Sequence, residues 1–389
     1  MKKYLYSTCL FLVFALQLLG QDIHSSLNPL SPQLNPALTG MLRGDYTRRL
    51  QASHRNQWAS VMGDGAYSTT QGSYEHAFFV GDADFIGVAA SGFYDQAGKM
   101  PLRQSQLNIN ASYIKNLGEL SRGRYVFLSG GCQVGMAWRR FDFSQISWSE
   151  QFTGAGYNLS LPTGEAASLN DFRNRTYGDA SVGVAATYSD NNNEHWRRGS
   201  LVWLNVGGSL GHLGGLLNTK TANISAFRDS ISLLRERWTA HASAMLGISD
   251  NLYVMPTAFF SMQARAFQIN AGLYTNIRWG GKSRILAANA LQLGLLMRFN
   301  QATETNGLRA DAVIPSVRFD FGQFSFGTSY DINTSVLRTA SYGRGGFEFN
   351  FAWLWYRSND NGTSNNRGMG SGKRAPRKRA AVVCPASSF

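Results

Sequence analysis

Histidine and cysteine, the side chains best suited to metal binding or nucleophilic catalysis, are scattered along this chain. The histidines are His24, His54, His76, His195, His212 and His241, and the cysteines are Cys9, Cys132 and Cys384. No Ser/His/Asp or His/Cys set follows the spacing of a known hydrolase or metal site. A barrel fold would not itself exclude catalysis. We nevertheless expect a protein that is not an enzyme, has no cofactor or metal, and uses single histidines as hydrogen-bond partners.

The first twenty residues predict a secretory signal peptide, at 1–20. Lys2 and Lys3 precede an apolar run at 5–19, and the polar sequence QDIHSS follows at once. The run is shorter than the roughly 20 apolar residues that a spanning helix needs. An N-terminal membrane anchor is the alternative. No later segment holds about 18 consecutive apolar residues, so we expect no transmembrane helix.

Alternation of apolar and polar residues runs through most of the remaining chain. In the stretch 345–358, GGFEFNFAWLWYRS, every second residue from Phe347 to Trp355 is aromatic. Successive side chains of a strand point to opposite faces, so one face is aromatic and the other begins polar. The same alternation recurs at 101–117 and 266–279. Apolar outer faces and polar inner faces are typical of a transmembrane β-barrel.

We therefore predict an all-β protein, a transmembrane antiparallel β-barrel of about 14 strands that occupies residues 44–358. The predicted strands are 44–57, 66–80, 84–97, 101–117, 124–141, 177–190, 199–215, 235–249, 251–262, 266–279, 285–299, 308–321, 323–335 and 345–358. If the amino terminus lies in the periplasm, the even count returns the carboxyl terminus there. The two longest connections, 142–176 and 216–234, then fall on the external side.

A polar segment, residues 21–43, precedes the predicted barrel. It contains Pro29, Pro32 and Pro36, and proline disfavours both helices and central strands. We expect a periplasmic N-terminal arm that is either an ordered, plug-like segment or a flexible leader.

Residues 359–389 predict a flexible, basic periplasmic tail. A polar linker is followed by Lys373, Arg374, Arg377, Lys378 and Arg379. Such a run is either a solvated tail or a docking peptide for an acidic periplasmic partner. Although the net charge is +13, nucleic acid is not expected as a partner, because an exported barrel does not meet it.

Short motifs add a family resemblance that covers nearly all of the chain after residue 20. They are LNPALTG at 34–40, GDY at 44–46, RNQW at 55–58, LSGGCQVG at 128–135, WTAH at 238–241 and FGTSYD at 326–331. Together these motifs resemble the PorP/SprF family, outer-membrane components of the Bacteroidetes type IX secretion and gliding machinery. One departure precedes the last strand, where many members have Ser-His-Glu. Here Glu348 is present and the histidine is absent.

The resemblance implies a non-enzymatic outer-membrane subunit that supports export or surface attachment of type IX cargo, such as large adhesins. Its implied partners are outer-membrane lipid, cargo through the external loops, and periplasmic ring components through the N-terminal arm or C-terminal tail. Within the matched motifs we predict a docking cluster at the periplasmic end and first strand, formed by Asn35, Pro36, Arg55, Gln57 and Trp58.

Two other functions remain open. A barrel of about 14 strands is wide enough to conduct, so a porin or fatty-acid-type passive channel is an alternative. A structural anchor that holds an adhesin without exporting it is another.

Overall fold

The computed structural model describes residues 31–42, 46–80, 84–98, 102–121, 123–141, 149–161, 174–190, 200–214, 234–264, 266–280, 289–301, 307–335 and 338–356. Within these residues, fourteen antiparallel strands form one closed barrel, in which each strand pairs with its sequence neighbours and the last pairs with the first. The predicted barrel is therefore confirmed. Among the same residues, no helix is both long enough and apolar enough to cross a membrane.

The strands are β1 (Tyr46–Gln57), β2 (Tyr67–Val80), β3 (Asp84–Ala97), β4 (Leu102–Ser121), β5 (Arg124–Phe141), β6 (Arg175–Asp190), β7 (Ser200–Gly211), β8 (Arg237–Gly247), β9 (Leu252–Gln263), β10 (Ala266–Trp279), β11 (Asn289–Gln301), β12 (Leu308–Phe321), β13 (Phe324–Asn333) and β14 (Arg344–Tyr356). Single helical turns occur at Pro36–Leu38, Ala59–Met62, Gly63–Gly65, Ser149–Gln151 and Arg338–Ser341.

Among the described residues, strand boundaries differ from the prediction mainly in two places. β4 continues to Ser121, past the predicted end at residue 117. Its pairing with β3 ends at Ile114, but its pairing with β5 continues to Ser121. β7 stops at Gly211 rather than residue 215, since His212 has a φ of 61°. That left-handed conformation is incompatible with continued strand geometry.

On β4 and β14, the two faces have the polarity that the alternation predicts. On β4, Leu107 is 62 % exposed on the outer surface, whereas its neighbour Asn108 is buried. On β14, Phe347 and Phe349 are exposed and Glu348 between them is buried. An apolar outer wall around a polar lumen satisfies the requirement that lipid places on a barrel.

Aromatic rings concentrate on the outer wall where β14 closes the barrel. The ring centroid of Trp353 lies 4.2 Å from that of Trp355 and 5.6 Å from that of Phe324 on β13. The Trp355 ring also makes an edge contact with Tyr74 of β2 at 6.4 Å. Aromatic pairs of this kind contribute about 0.5–1.5 kcal/mol each beyond their buried area. The Trp355–Tyr74 contact spans β1, which lies between β14 and β2, and therefore stabilises the closure of the barrel.

The two ends of the barrel differ in the length of their connections. We name them the Tyr46 end, where β1 begins and β14 ends, and the Trp58 end, where β1 gives way to the first turn. Only Gly322 and Gln323 join β12 to β13 at the Tyr46 end. The longest connections, β5 to β6 and β7 to β8, both lie at the Trp58 end.

An apolar core lies inside the barrel rather than between layers. Phe85, Trp203 and Tyr253 are buried in it, and each belongs to a strand that begins at the Tyr46 end. Ala37 and Leu38, which precede β1, pack in the same core. The lumen is thus closed in part by residues that come before the first strand.

Candidate functional site

Residues 31–42, which we call the lumen segment, lie inside the barrel and are nearly all buried. The segment contains a single 3₁₀ turn at Pro36–Leu38. Asn35 caps this turn, because its side-chain oxygen accepts a hydrogen bond from the Ala37 N–H at 2.9 Å. Proline suits the first position of a turn, where no N–H is required. The local sequence Asn-Pro therefore dictates the conformation of the segment.

Asn35 anchors the lumen segment to the middle of β6 and β7. Its amide nitrogen donates to the Val184 carbonyl oxygen at 3.0 Å and to the Gly208 carbonyl oxygen at 3.1 Å. Its side chain is fully buried. Since its oxygen accepts from Ala37, both donors and the acceptor of this amide are used.

Hydroxyl groups on the strands bind the backbone of the lumen segment. The Leu34 carbonyl oxygen accepts from Ser209 Oγ at 2.7 Å and from Thr239 Oγ1 at 3.1 Å. The Thr39 carbonyl oxygen accepts from Ser112 Oγ at 2.5 Å. Buried carbonyl groups that would otherwise lack partners are satisfied in this way.

A buried ion pair holds the other end of the segment. Glu75 Oε2 accepts a hydrogen bond from the Gly40 N–H at 3.0 Å. The other carboxylate oxygen of Glu75 accepts from Arg49 Nε at 2.9 Å. Both side chains are almost completely excluded from solvent. A buried carboxylate needs this kind of pairing to stay charged.

Glycines on the inner wall allow the segment to approach the strands closely. A Cβ atom on Gly131 would collide with the Pro36 carbonyl oxygen, and one on Gly87 would collide with the Thr39 carbonyl oxygen. Inner-wall positions that carried larger side chains would push the segment out of the lumen.

A second buried charge cluster joins strands near the Trp58 end. Asp331 Oδ2 accepts from Arg55 Nη2 at 2.6 Å and from Arg298 Nη1 at 2.8 Å. Glu348 lies 4.0 Å from Arg55, and Asp311 lies 3.7 Å from Arg298. The cluster therefore connects β1, β11, β12, β13 and β14 across the inner wall.

Three histidines have hydrogen-bond partners, as expected for isolated residues. His54 contacts Thr70, His212 contacts Asp179 at 2.9 Å, and His241 contacts Asn205 at 2.8 Å. Within the described parts of the chain, no three His, Cys, Asp or Glu side chains gather as possible metal ligands. That the protein is not an enzyme stays a prediction.

The predicted docking residues do not form one cluster. Asn35 and Pro36 lie in the lumen, Arg55 joins the charge cluster with Asp331, and Gln57 ends β1. Trp58 follows at the opposite end from Tyr46, where its ring contacts Tyr67 at 5.5 Å. The structure separates the five residues predicted to lie at the periplasmic end and first strand, because β1 carries Arg55 and Gln57 to the Trp58 end while Asn35 and Pro36 lie in the lumen. Their role in partner binding stays a prediction.

Other predicted regions lie outside the described residues. They are the signal peptide at 1–20, residues 21–30 of the N-terminal arm, and the tail residues Lys373, Arg374, Arg377, Lys378 and Arg379. Sequence reasoning did not single out Glu75, Ser112, Ser209 or Thr239, which hold the lumen segment. Their only signal is a polar residue at an inward-facing position of a strand.

Solved structures match this chain at low similarity. The chain resembles the Ralstonia pickettii toluene transporter TbuX, with a TM-score of 0.42, 10% identity, and coverage of 83% of this chain and 92% of that one. It also resembles a Pseudomonas aeruginosa FadL homologue, with a TM-score of 0.41, 10% identity, and coverage of 85% and 95%. No curated protein matches the chain.

A family profile provides the assignment. Residues 26–353 match the family described as type IX secretion system membrane protein PorP/SprF. The matched region includes the lumen segment and nearly the entire barrel. The chain therefore belongs to the PorP/SprF family of type IX secretion system membrane proteins.

Proposed function

We propose that this protein is a non-enzymatic outer-membrane subunit of the type IX secretion machinery that supports export or surface attachment of secreted cargo, such as large adhesins. The observation that carries the proposal is the family match over residues 26–353. A barrel fixed in the bilayer can present its loops to cargo on one side and its tail to the machinery on the other. Neither task needs catalysis.

The lumen segment argues against the alternative of a passive channel. Passive conduction needs a continuous watery path, and the segment is hydrogen-bonded to Glu75, Ser112 and Ser209 on three strands around the lumen. Its residues Ala37 and Leu38 also complete the internal apolar core. A lumen occupied in this way supports a scaffold rather than a pore.

If the Tyr46 end lies in the periplasm, cargo and the periplasmic ring would contact opposite ends of the barrel. With the Tyr46 end in the periplasm, the long β5–β6 and β7–β8 connections face outward, as external loops of barrels do. These connections are the proposed contact for cargo. Because the described part of the N-terminal arm is buried in the lumen, the basic tail is the better candidate for the periplasmic ring.

Loop replacement tests the assignment of cargo to the Trp58 end. Residues 142–174 are replaced by a short Gly-Ser linker, and residues 281–288 at the Tyr46 end are replaced in a matched control. The amount of cargo on the cell surface should decrease only in cells that carry the 142–174 replacement. Both variant barrels should reach the outer membrane. Undiminished cargo display after the first replacement would contradict the proposal.

Gene deletion and reconstitution separate the remaining functions. Cargo trapped inside cells that lack the protein indicates a role in export, whereas cargo shed into the medium indicates anchoring. A steady open conductance of the purified protein in planar bilayers would favour a passive channel instead.

A further inference from the structure

We propose that the inner wall of the barrel forms a peptide-binding site, which residues 34–40 occupy in cis. Its ligand class is a polypeptide segment that contains asparagine followed by proline. The barrel would bind such a segment in trans when its own segment is withdrawn. The proposal concerns the lumen and does not depend on the proposed role in cargo handling.

The strands supply groups that recognise polypeptide backbone rather than particular side chains. Ser209 and Thr239 both donate to the Leu34 carbonyl oxygen, and Ser112 donates to that of Thr39. Glu75 accepts the Gly40 N–H while Arg49 holds its carboxylate in place. These contacts come from β2, β4, β7 and β8, so four strands of the barrel together form the binding surface.

One side chain supplies selectivity. The Asn35 amide nitrogen donates to two strand carbonyl oxygens, those of Val184 and Gly208. An aspartate at this position would place a carboxylate oxygen against two acceptors, and an alanine would lose both hydrogen bonds. Only an amide of this length satisfies both carbonyls, so the site should discriminate asparagine from aspartate.

Shape complements these polar contacts. The absence of a side chain at Gly131 lets the Pro36 carbonyl approach the wall of β5. Ala37 and Leu38 then enter the apolar core that contains Phe127 and Trp203. The site thus combines hydroxyl groups that bind the peptide backbone, two carbonyl oxygens that bind the asparagine amide, and an apolar pocket.

Covalent linkage explains why the site is occupied in cis. A short tether gives an attached ligand an effective concentration on the order of millimolar. A free peptide at micromolar concentration would therefore not displace it. The intact chain is autoinhibited toward trans ligands, and withdrawal of its own segment removes that inhibition.

Binding of a labelled heptapeptide, LNPALTG, tests the proposal. The receptor is the full-length chain in which residues 34–40 are replaced by a Gly-Ser sequence of equal length, purified in detergent. Fluorescence anisotropy should show binding to this variant and at least about tenfold weaker binding to the intact protein. The same heptapeptide with aspartate in place of asparagine should bind about tenfold more weakly or worse, since two hydrogen bonds are lost.

Matched variants locate the binding inside the lumen. In the replaced chain, Gly131→Val should abolish binding, because the added side chain occupies the peptide's path. Gly130→Val, one residue away on the outer wall with nothing within 4 Å, should leave binding unchanged. Equal binding of the asparagine and aspartate peptides, or no binding at all, would overturn the proposal.

Folding controls complete the test. The compact barrel is recognised by its heat-dependent migration on gels. If the replaced chain fails to fold, it is refolded with each peptide present. Rescue by the asparagine peptide alone supports the site, and failure with both peptides overturns it.

Discussion

Gly131 on β5 lies so close to Pro36 of the lumen segment that a Cβ atom would collide with the Pro36 carbonyl oxygen. This contact joins a strand in the first half of the barrel to the residue that opens the 3₁₀ turn. The backbone of the segment is thus fitted directly against the backbone of the wall.

Valine at this position should displace the segment. Gly131→Val is expected to lower the free energy of unfolding by about 1–3 kcal/mol, as overpacking does in other cores. Gly130→Val, on the outer wall of the same strand, is the control. Urea titration in detergent measures both, and equal stability of the two variants would contradict the close contact.

The buried pair of Arg49 and Glu75 should show strong coupling. Removing one partner leaves an uncompensated charge in the lumen, so Arg49→Met or Glu75→Leu alone should cost about 3–5 kcal/mol. The double variant should cost clearly less than the sum of the two. A double-mutant cycle on unfolding free energies measures this coupling, and strict additivity would argue against the pair.

Arginine substitutions of two leucines on β4 test how far the lipid-facing surface extends along the strand. Leu107 lies in the part of β4 that pairs with both β3 and β5, whereas Leu120 lies near the β4–β5 turn beyond the pairing with β3, and both are well exposed. Leu107→Arg should destabilise the barrel by about 2–4 kcal/mol in a bilayer, and Leu120→Arg by about 0–1 kcal/mol. Similar losses for both variants would place the lipid boundary elsewhere.

Substitutions of Asn35 and Trp58 should distinguish effects on barrel stability from effects on partner binding. Asn35→Ala removes the two hydrogen bonds that its amide donates to the Val184 and Gly208 carbonyl oxygens, so it should cost about 1–3 kcal/mol. Trp58→Ala loses one aromatic contact, worth about 0.5–1.5 kcal/mol. Thermal unfolding measures stability, and cargo display measures function. Unchanged cargo display in folded Trp58→Ala cells would exclude Trp58 from docking.

Deletion of the tail should affect partners and spare the barrel. Removing residues 359–389 takes away the basic run after β14. The truncated protein should reach the membrane and keep heat-dependent migration, while co-purification of periplasmic machinery components drops. A truncation that retains those components at the level of the intact protein would exclude docking by the tail.

The barrel could be predicted because its signal is local. Leu107 and Asn108 take opposite faces, as do Phe347 and Glu348, and this period is set by the strand itself. The strand predicted at 308–321 agrees with β12 to the residue. The end of β4 was missed because its extra pairing depends on β5 and not on its own pattern.

A plug-like segment was one of two alternatives for residues 21–43, but its partners on the strands could not be predicted, because they are remote in sequence. Asn35 is 149 residues from Val184 and 173 residues from Gly208. No residue near Asn35 in the sequence indicates that its side chain binds β6 and β7. Trp58 illustrates the same limit, since the family resemblance of the RNQW motif suggested a shared site with Arg55, whereas Arg55 contacts Asp331 and the Trp58 ring contacts Tyr67.

The pairing of β14 with β1 makes both ends of the barrel sequence indispensable. A translation product that stops before Arg344 would expose the backbone of β1 and β13 to hydrocarbon, which offers no hydrogen bonds. Nonsense mutations before the end of β14 should therefore behave as complete losses, and clipping by a protease at this strand should mark the whole molecule for degradation.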